Sequence, residues 1–177
     1  MADFLTDIQT LRDRARQNIE QGPITDAYGA DRDRVIQVLN EALATELVCV
    51  LRYKRHFYTA SGLNAAPVAA EFLQHANEEQ AHADQIALRI TQLQGEPNFD
   101  PAGLAERSHS EYDGSAGLLE MVKEDLIAER VAIESYTEMI RWLGDKDTTT
   151  RRMLEDILAV EEEHADDLLN ILADING

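Results

Sequence analysis

A single cysteine, Cys49, in 177 residues excludes an intramolecular disulfide. It equally excludes a four-cysteine zinc site or a rubredoxin-type iron site supplied by this chain alone. Such usage fits a reducing compartment. Basic residues are also scarce: 16 Lys and Arg stand against 34 Asp and Glu, for a formal net charge of −18 and a pI near 4.5. This balance argues against a general nucleic-acid or anionic-membrane surface and is compatible with cations as partners. No stretch approaches the roughly 18 uncharged apolar residues of a membrane span. The segment Met1-Ala2-Asp3-Phe4-Leu5-Thr6-Asp7 has neither the basic nor the apolar region of a secretory signal. The expectation is a soluble, cytoplasmic protein with no nucleic-acid or membrane partner. At this length one domain buries roughly 70% of its unfolded surface without covalent staples.

What is present is helical periodicity almost throughout. Four long segments carry it. The first runs from about Asp31 to Ser61, with Ile36, Leu39, Leu43, Val50, Tyr53 and Phe57 on one stripe. The second opens near Ala66, with Pro67 in its first turn, and runs to Gly95-Glu96-Pro97. The third extends from about Ser115 to Gly144, and the fourth follows the capping residues Asp147-Thr148-Thr149. Short connections within the first and second pairs suit antiparallel neighbours. Gly95 to Gly114, rich in Gly, Pro, Asp and Ser, suits a crossover along a bundle: a helix of about 28 residues is about 42 Å long, and about 20 extended residues reach about 66 Å. The fold class predicted is an all-α four-helix bundle made of two antiparallel helical hairpins joined by a long crossover, spanning residues 31–177. Residues 1–30 form a separate N-terminal piece. In it Phe4, Leu5, Ile8, Leu11, Ala15 and Ile19 predict a short amphipathic helix ended by Gly22-Pro23, docked on the bundle or on a neighbouring subunit.

Each long helix interrupts its apolar stripe with acid or histidine. Glu46 is in step with Leu39, Leu43 and Val50; Glu79 and His82 with Phe72, Ala76 and Ile86; Glu129 lies between Leu126 and Ile133, and Glu161 and His164 between Ile157 and Leu168. Buried carboxylates facing one core need compensation by protons or metal. Residues three apart share a helix face, so Glu79-x-x-His82 and Glu161-x-x-His164 can each aim an oxygen and a nitrogen at one point. One Glu from each of two helices plus one Glu-x-x-His from each of the other two is the core-facing di-iron or di-manganese carboxylate arrangement. Carboxylate and imidazole donors suit Fe(II) or Mn(II). The halves repeat: Glu46 and Tyr53 map onto Glu129 and Tyr136 at an offset of 83, and Glu79 and His82 onto Glu161 and His164 at an offset of 82.

A lone Glu-x-x-His is cheap, since roughly one His in ten has a Glu three positions upstream. Glu106-Arg107-Ser108-His109 is such a case, in the crossover and without an apolar stripe, and is assigned no ligand role. Tyr53 and Tyr136 are read as core tyrosines able to bond a ligand carboxylate. His75 reads as polar packing or support behind a ligand, and His56 as a partly exposed flank of the stripe. Asp125 is either an orienting partner for an imidazole or surface charge. Cys49 reads as a small buried hydrophobe.

At Asn40-Glu41-Ala42-Leu43-Ala44-Thr45-Glu46, Glu78-Glu79-Gln80-Ala81-His82-Ala83-Asp84, Asp125-Leu126-Ile127-Ala128-Glu129-Arg130 and Glu161-Glu162-Glu163-His164 the sequence resembles the ferritin-like superfamily, in particular bacterioferritins and Dps-like mini-ferritins with a di-iron centre inside each subunit. The resemblance implies that Glu79 and Glu161 bridge two irons, with Glu46 and His82 completing one site and Glu129 and His164 the other. It implies a ferroxidase that oxidises Fe(II) with O2 or H2O2 for storage or detoxification inside a homo-oligomeric cage of 12 or 24 subunits. Three features depart from the pattern. Gln80 stands where bacterioferritins carry their haem-ligating methionine, so haem binding does not carry over at that position. Only 13 residues follow His164, too few for the short fifth helix of 24-subunit ferritins. A helix is added at the N-terminus, as in some Dps-like dodecamers, without a Lys-rich tail of the kind associated with DNA binding. Two other readings stand beside this one: a peroxidase or oxidase of rubrerythrin or manganese-catalase type on the same centre, and a non-catalytic metal-binding or partner-binding bundle.

Overall fold

The structure, a computed structural model, describes residues 6–62 and 65–176. Its described elements are helical: α1 (Ile8–Ala15), a 3-10 turn (Ile19–Gln21), α2 (Arg32–Thr59), α3 (Ala65–Gln92), α4 (Leu104–Arg107), α5 (Leu118–Leu143) and α6 (Thr148–Asn176). Helix α2 packs along α3, and α5 along α6, giving the two predicted hairpins. Asp31 caps α2 by accepting from the Arg34 amide at 3.2 Å. Helix α5 stops at Gly144, whose φ of +52° suits a residue without a side chain. The cap of α6 is Asp147 alone: its carboxylate accepts from the Thr150 amide at 2.9 Å and from the Thr150 hydroxyl at 2.6 Å. Thr148 and Thr149 lie inside the helix instead of before it.

The crossover climbs α2 from foot to head, as its anchors show. Gly95 rests on Ile36, so closely that an added Cβ would lie 2.8 Å from that side chain. The Asn98 amide donates to Asn40 Oδ1 at 2.7 Å, the His109 amide to Thr45 Oγ1 at 2.9 Å, Arg52 Nη1 to the Glu111 carbonyl at 2.8 Å and Arg55 Nη1 to the Ser115 carbonyl at 2.9 Å. The segment is not structureless as the sequence suggests. It contains α4, which includes Glu106, and side chains of α2 satisfy its backbone.

The N-terminal expectation needs correction. Helix α1 begins at Ile8, buries none of its residues, and leaves Ile8 and Leu11 exposed. Ile19 belongs to the 3-10 turn and is also exposed, while Phe4 and Leu5 lie outside the described residues. The linker after α1 is what docks. Ile24, Tyr28 and Ala30 pack against the core, and the Tyr28 hydroxyl donates to Asp147 at 2.9 Å.

The core is two apolar clusters. One gathers Leu39, Leu43, Ile86, Ile90, Tyr136, Leu154 and Ile157, and the other Tyr53, Val68, Phe72, Ala76, Val122, Ala128 and Leu168. Cys49 belongs to the second and is buried, as expected. Along every long helix the boundary between the clusters falls at the acidic position: Glu46 after Leu43, Glu79 after Ala76, Glu129 after Ala128, Glu161 after Ile157. A polar layer thus crosses the bundle where its two halves meet.

Candidate metal centre

Glu46 (α2), Glu79 and His82 (α3), Glu129 (α5), and Glu161 and His164 (α6) converge in this layer, none more than 4% exposed. His82 Nδ1 lies 3.0 Å from Glu161 Oε1, 3.3 Å from Glu46 Oε2 and 3.6 Å from Glu79 Oε2. His164 Nδ1 lies 3.5 Å from Glu79 Oε1, 3.7 Å from Glu161 Oε2 and 3.9 Å from Glu129 Oε2. The donors fall into two sets, Glu46-Glu79-His82-Glu161 and Glu79-Glu129-Glu161-His164. Within each set one donor atom per residue lies within 4.8 Å of the others. Glu79 and Glu161 belong to both sets, as carboxylates lying between two neighbouring ions would.

Two tyrosines tie the hairpins together reciprocally. Tyr53 of α2 donates to Glu129 Oε1 of α5, and Tyr136 of α5 donates to Glu46 Oε1 of α2. Each occupies one oxygen and leaves the other to face the centre. His164 is held from behind by Glu78, whose Oε2 lies 2.8 Å from its Nε2. Glu78 is outside the donor pattern that the spacing predicts. The only signal was its place beside Glu79, since on a helix neighbours point about 100° apart and can serve the centre from two sides. His75 supports the cluster as expected, stacked on His164 with ring centroids 4.0 Å apart and its Nδ1 3.3 Å from the Tyr53 hydroxyl.

Burial disfavours charge throughout this layer, and protons redistribute accordingly. Burial and the negative charge of Glu161 push Glu79 and Glu129 well above the ordinary carboxylate range. Glu161 is also buried, but contacts with His164 and His82 prevail and hold it down to about 2. Against their own burial, carboxylate contacts led by Glu161 raise His82 to about 12 and His164 to about 9. Burial and the adjacent His164 push His75 down to about 3. In the metal-free cluster, protons on the two imidazoles and a tightened hold on protons at Glu79 and Glu129 therefore offset the crowded acids.

Protons do not satisfy every donor. Glu46 Oε2, Glu79 Oε1, both oxygens of Glu161, and the Nδ1 atoms of His82 and His164 are buried without a hydrogen-bond partner. Such orphaned atoms are costly. Here they point at one another across gaps that oxygen- and nitrogen-loving cations such as Fe(II) or Mn(II) would fill. The donor set therefore fits a pair of such ions.

Other polar residues stand elsewhere. His56, expected to be partly exposed, is completely buried, because Asp125 of α5 receives it: His56 Nδ1 lies 2.8 Å from Asp125 Oδ2. Asp125 is buried as well and pairs with Arg52 Nε at 3.0 Å, so it orients an imidazole outside the cluster instead of serving as surface charge. His109 lies apart from the centre, 3.0 Å from Ser135 Oγ.

Fold and cluster together define a class: a four-helix bundle whose halves meet at a buried carboxylate and histidine cluster with the donor set of a dinuclear metal site. The chain belongs to the ferritin-like domain family, whose profile matches residues 36–177. It is 31% identical over 137 residues to the bacterioferritin of Rhodobacter capsulatus, covering 75% of this chain and 79% of that protein. Among solved structures it resembles the bacterioferritin-related dodecameric thioferritin of Bacteroides fragilis, with a TM-score of 0.80 and 35% identity over 84% of this chain and 89% of that one. The bacterioferritin of Desulfovibrio desulfuricans, a diiron protein studied in several catalytic states, matches with a TM-score of 0.72 and 29% identity over 82% of this chain and 81% of its own. Among the described residues, no helix is long and apolar enough to cross a membrane.

Proposed function

We propose that this chain is the subunit of an iron-storing or iron-detoxifying homo-oligomeric cage, of 12 or 24 copies in the cytoplasm, and that it oxidises Fe(II) at the buried cluster. The observation that carries this reading is the sharing of Glu79 and Glu161 between two donor sets whose inward atoms lack partners. Glu79 and Glu161 bridge the pair, Glu46 and His82 complete one position, and Glu129 and His164 the other. Two Fe(II) held side by side supply the two electrons that, with two protons, convert O2 to H2O2 or H2O2 to two waters. The bacterioferritin relatives support the iron chemistry, and the dodecameric neighbour supports the cage.

The protein's own part is electrostatic and geometric. His82 and His164 release their protons to admit cations. Tyr136 and Tyr53 hold Glu46 and Glu129 by one oxygen each, and Glu78 fixes the His164 ring. The acidic residues outside the cluster favour cations near the protein.

Anaerobic Fe(II) titration, followed by O2 or H2O2 with particle size measured in parallel, tests the proposal. Two Fe(II) per chain are expected to bind and oxidise, iron then accumulating far beyond that number in a closed shell. His82→Ala and Glu161→Ala lose the oxidation. Saturation at the paired sites with continuing peroxide turnover would replace this reading by the peroxidase one. Binding no stronger than in Glu79→Ala would overturn both.

A further inference from the structure

One and two turns of α3 before Glu79, His75 and Glu71 share a helix face and meet Asp167 of α6. His75 Nε2 lies 3.5 Å from Glu71 Oε1 and 3.9 Å from Asp167 Oδ2, and the three donors fall within 4.8 Å of one another. We infer that Glu71, His75 and Asp167 form a separate site for a divalent transition cation of the Fe(II), Mn(II), Co(II) or Zn(II) class, beside the dinuclear centre and sharing none of its ligands.

Three observations carry this inference. The His75 side chain is fully buried, yet its Nε2 has no hydrogen-bond partner and is aimed into the acidic pair. An unpartnered buried nitrogen is expensive, and one placed between two carboxylates is accounted for by a ligand there. The second observation concerns the tautomer. The Tyr53 hydroxyl spends its proton on Glu129, so towards His75 Nδ1, 3.3 Å away, it can only accept. The ring proton therefore sits on Nδ1, and Nε2 keeps a bare lone pair directed at Glu71 and Asp167. With the ring proton on Nδ1, Nε2 faces the two carboxylates as an acceptor, a position that a metal can occupy.

The third observation is geometric. Ligand atoms each about 2.1 Å from one ion lie about 3.0–3.5 Å apart; the 3.5 Å from His75 Nε2 to Glu71 matches this, and the 3.9 Å to Asp167 is a small inward movement away from it. The carboxylates lie at the rim: Glu71 is 30% and Asp167 41% exposed at the side chain. A cation thus reaches the site from solvent, and water completes its coordination. The Glu71 carboxyl, raised by its burial and by the nearby charges of Asp167 and Glu78, is the acid such a cation would relieve.

Anaerobic Co(II) titration of the full-length protein, followed by diffraction at the cobalt absorption edge, tests the inference. The expected result is an anomalous peak within ligand distance of His75 Nε2 in addition to those at the dinuclear centre. In the double variant Glu71→Gln/Asp167→Asn this peak disappears and about one Co(II) per chain is lost, while the centre stays filled. Both substitutions are isosteric and at the rim, so folding is not in question. In Glu79→Ala the centre empties and the His75 peak persists. No peak at His75 under saturating Co(II), or one that survives the double variant, overturns the inference. Peaks at the dinuclear centre are read separately, so failure of the proposed function and failure of this site remain distinguishable.

Discussion

Replacing Glu161 by glutamine probes the electrostatics of the cluster where they are most concentrated. Its carboxylate is completely buried and touches both histidines, at 3.0 Å from His82 and 3.7 Å from His164. Glutamine keeps the volume and removes the anion. Removing one partner of a buried charge pair costs about 3–5 kcal/mol, but an imidazole can release its proton, which limits the loss. Holding His164 at about 9 instead of 6.5 corresponds to about 3 kcal/mol, an upper bound because Glu129 and Glu78 contribute too. Urea unfolding of the metal-free protein at pH 6 should therefore show Glu161→Gln destabilised by about 2–4 kcal/mol. The pH profile is the sharper test. A histidine whose folded pKa is raised stabilises fully below 6.5 and loses that contribution as pH rises through about 9. Glu161, lowered from 4.5 to about 2, contributes above 4.5 and ceases to do so as pH falls through about 2. The wild-type advantage is thus greatest between pH 4.5 and 6.5 and shrinks towards pH 9, with His82, held to about 12, keeping a share. A gap constant from pH 5 to 9, or one that widens with pH, would refute the reasoning.

Other perturbations separate scaffold from centre. Asp125→Ala leaves Arg52 Nε and His56 Nδ1 buried without their anion and should cost about 3–5 kcal/mol. Denaturant unfolding measures it, and Fe(II) stoichiometry should be unchanged in whatever fraction folds. Gly95→Ala drives a Cβ to 2.8 Å from Ile36 and should cost about 1–3 kcal/mol. Combined with Ile36→Ala, the two losses should sum to less than additive in thermal melts. Mn(II) binding at pH 7 should release protons from His82 and His164, held at about 12 and about 9, so calorimetry in buffers of different ionisation enthalpy should give buffer-dependent heats and an affinity that rises with pH; heats independent of buffer would contradict protonated imidazoles in the metal-free cluster.

Much of this architecture is legible because it is periodic. The apolar stripes of α2, α3, α5 and α6 and the interruptions at Glu46, Glu79, Glu129 and Glu161 follow from spacing alone, and the repeat at 82 and 83 residues pairs the halves before any coordinate is known. What escaped depends on partners distant in the chain. His56 looks like a flank of its stripe until Asp125, 69 residues away, receives it. The crossover looks structureless because its order comes from Arg52, Arg55, Thr45 and Asn40 of α2 and not from its own composition. At the N-terminus the hydrophobic pattern gives the helix but not its packing: Ile8 and Leu11 are at helical spacing in α1 and stay 59% and 45% exposed. Glu78 and the orphaned nitrogen of His75 needed the relative rotation of α3 and α6, which sequence periodicity leaves undetermined.

The polar layer explains why the bundle is built from two like halves. A cluster of buried acids opposes folding, so its position is decided by which arrangement lets each hairpin relieve the other. Tyr53 and Glu129 cross the interface in one direction, and Tyr136 and Glu46 in the other. His82 of the first hairpin meets Glu161 of the second, and His164 of the second meets Glu79 of the first. The tyrosines that hold Glu46 and Glu129 and the Glu78 that holds His164 each come from the opposite hairpin, so the cluster is completed only when the halves join. The residual cost is the set of inward oxygens and nitrogens left without partners, and an interior cation can offset it without dismantling the apolar packing on either side.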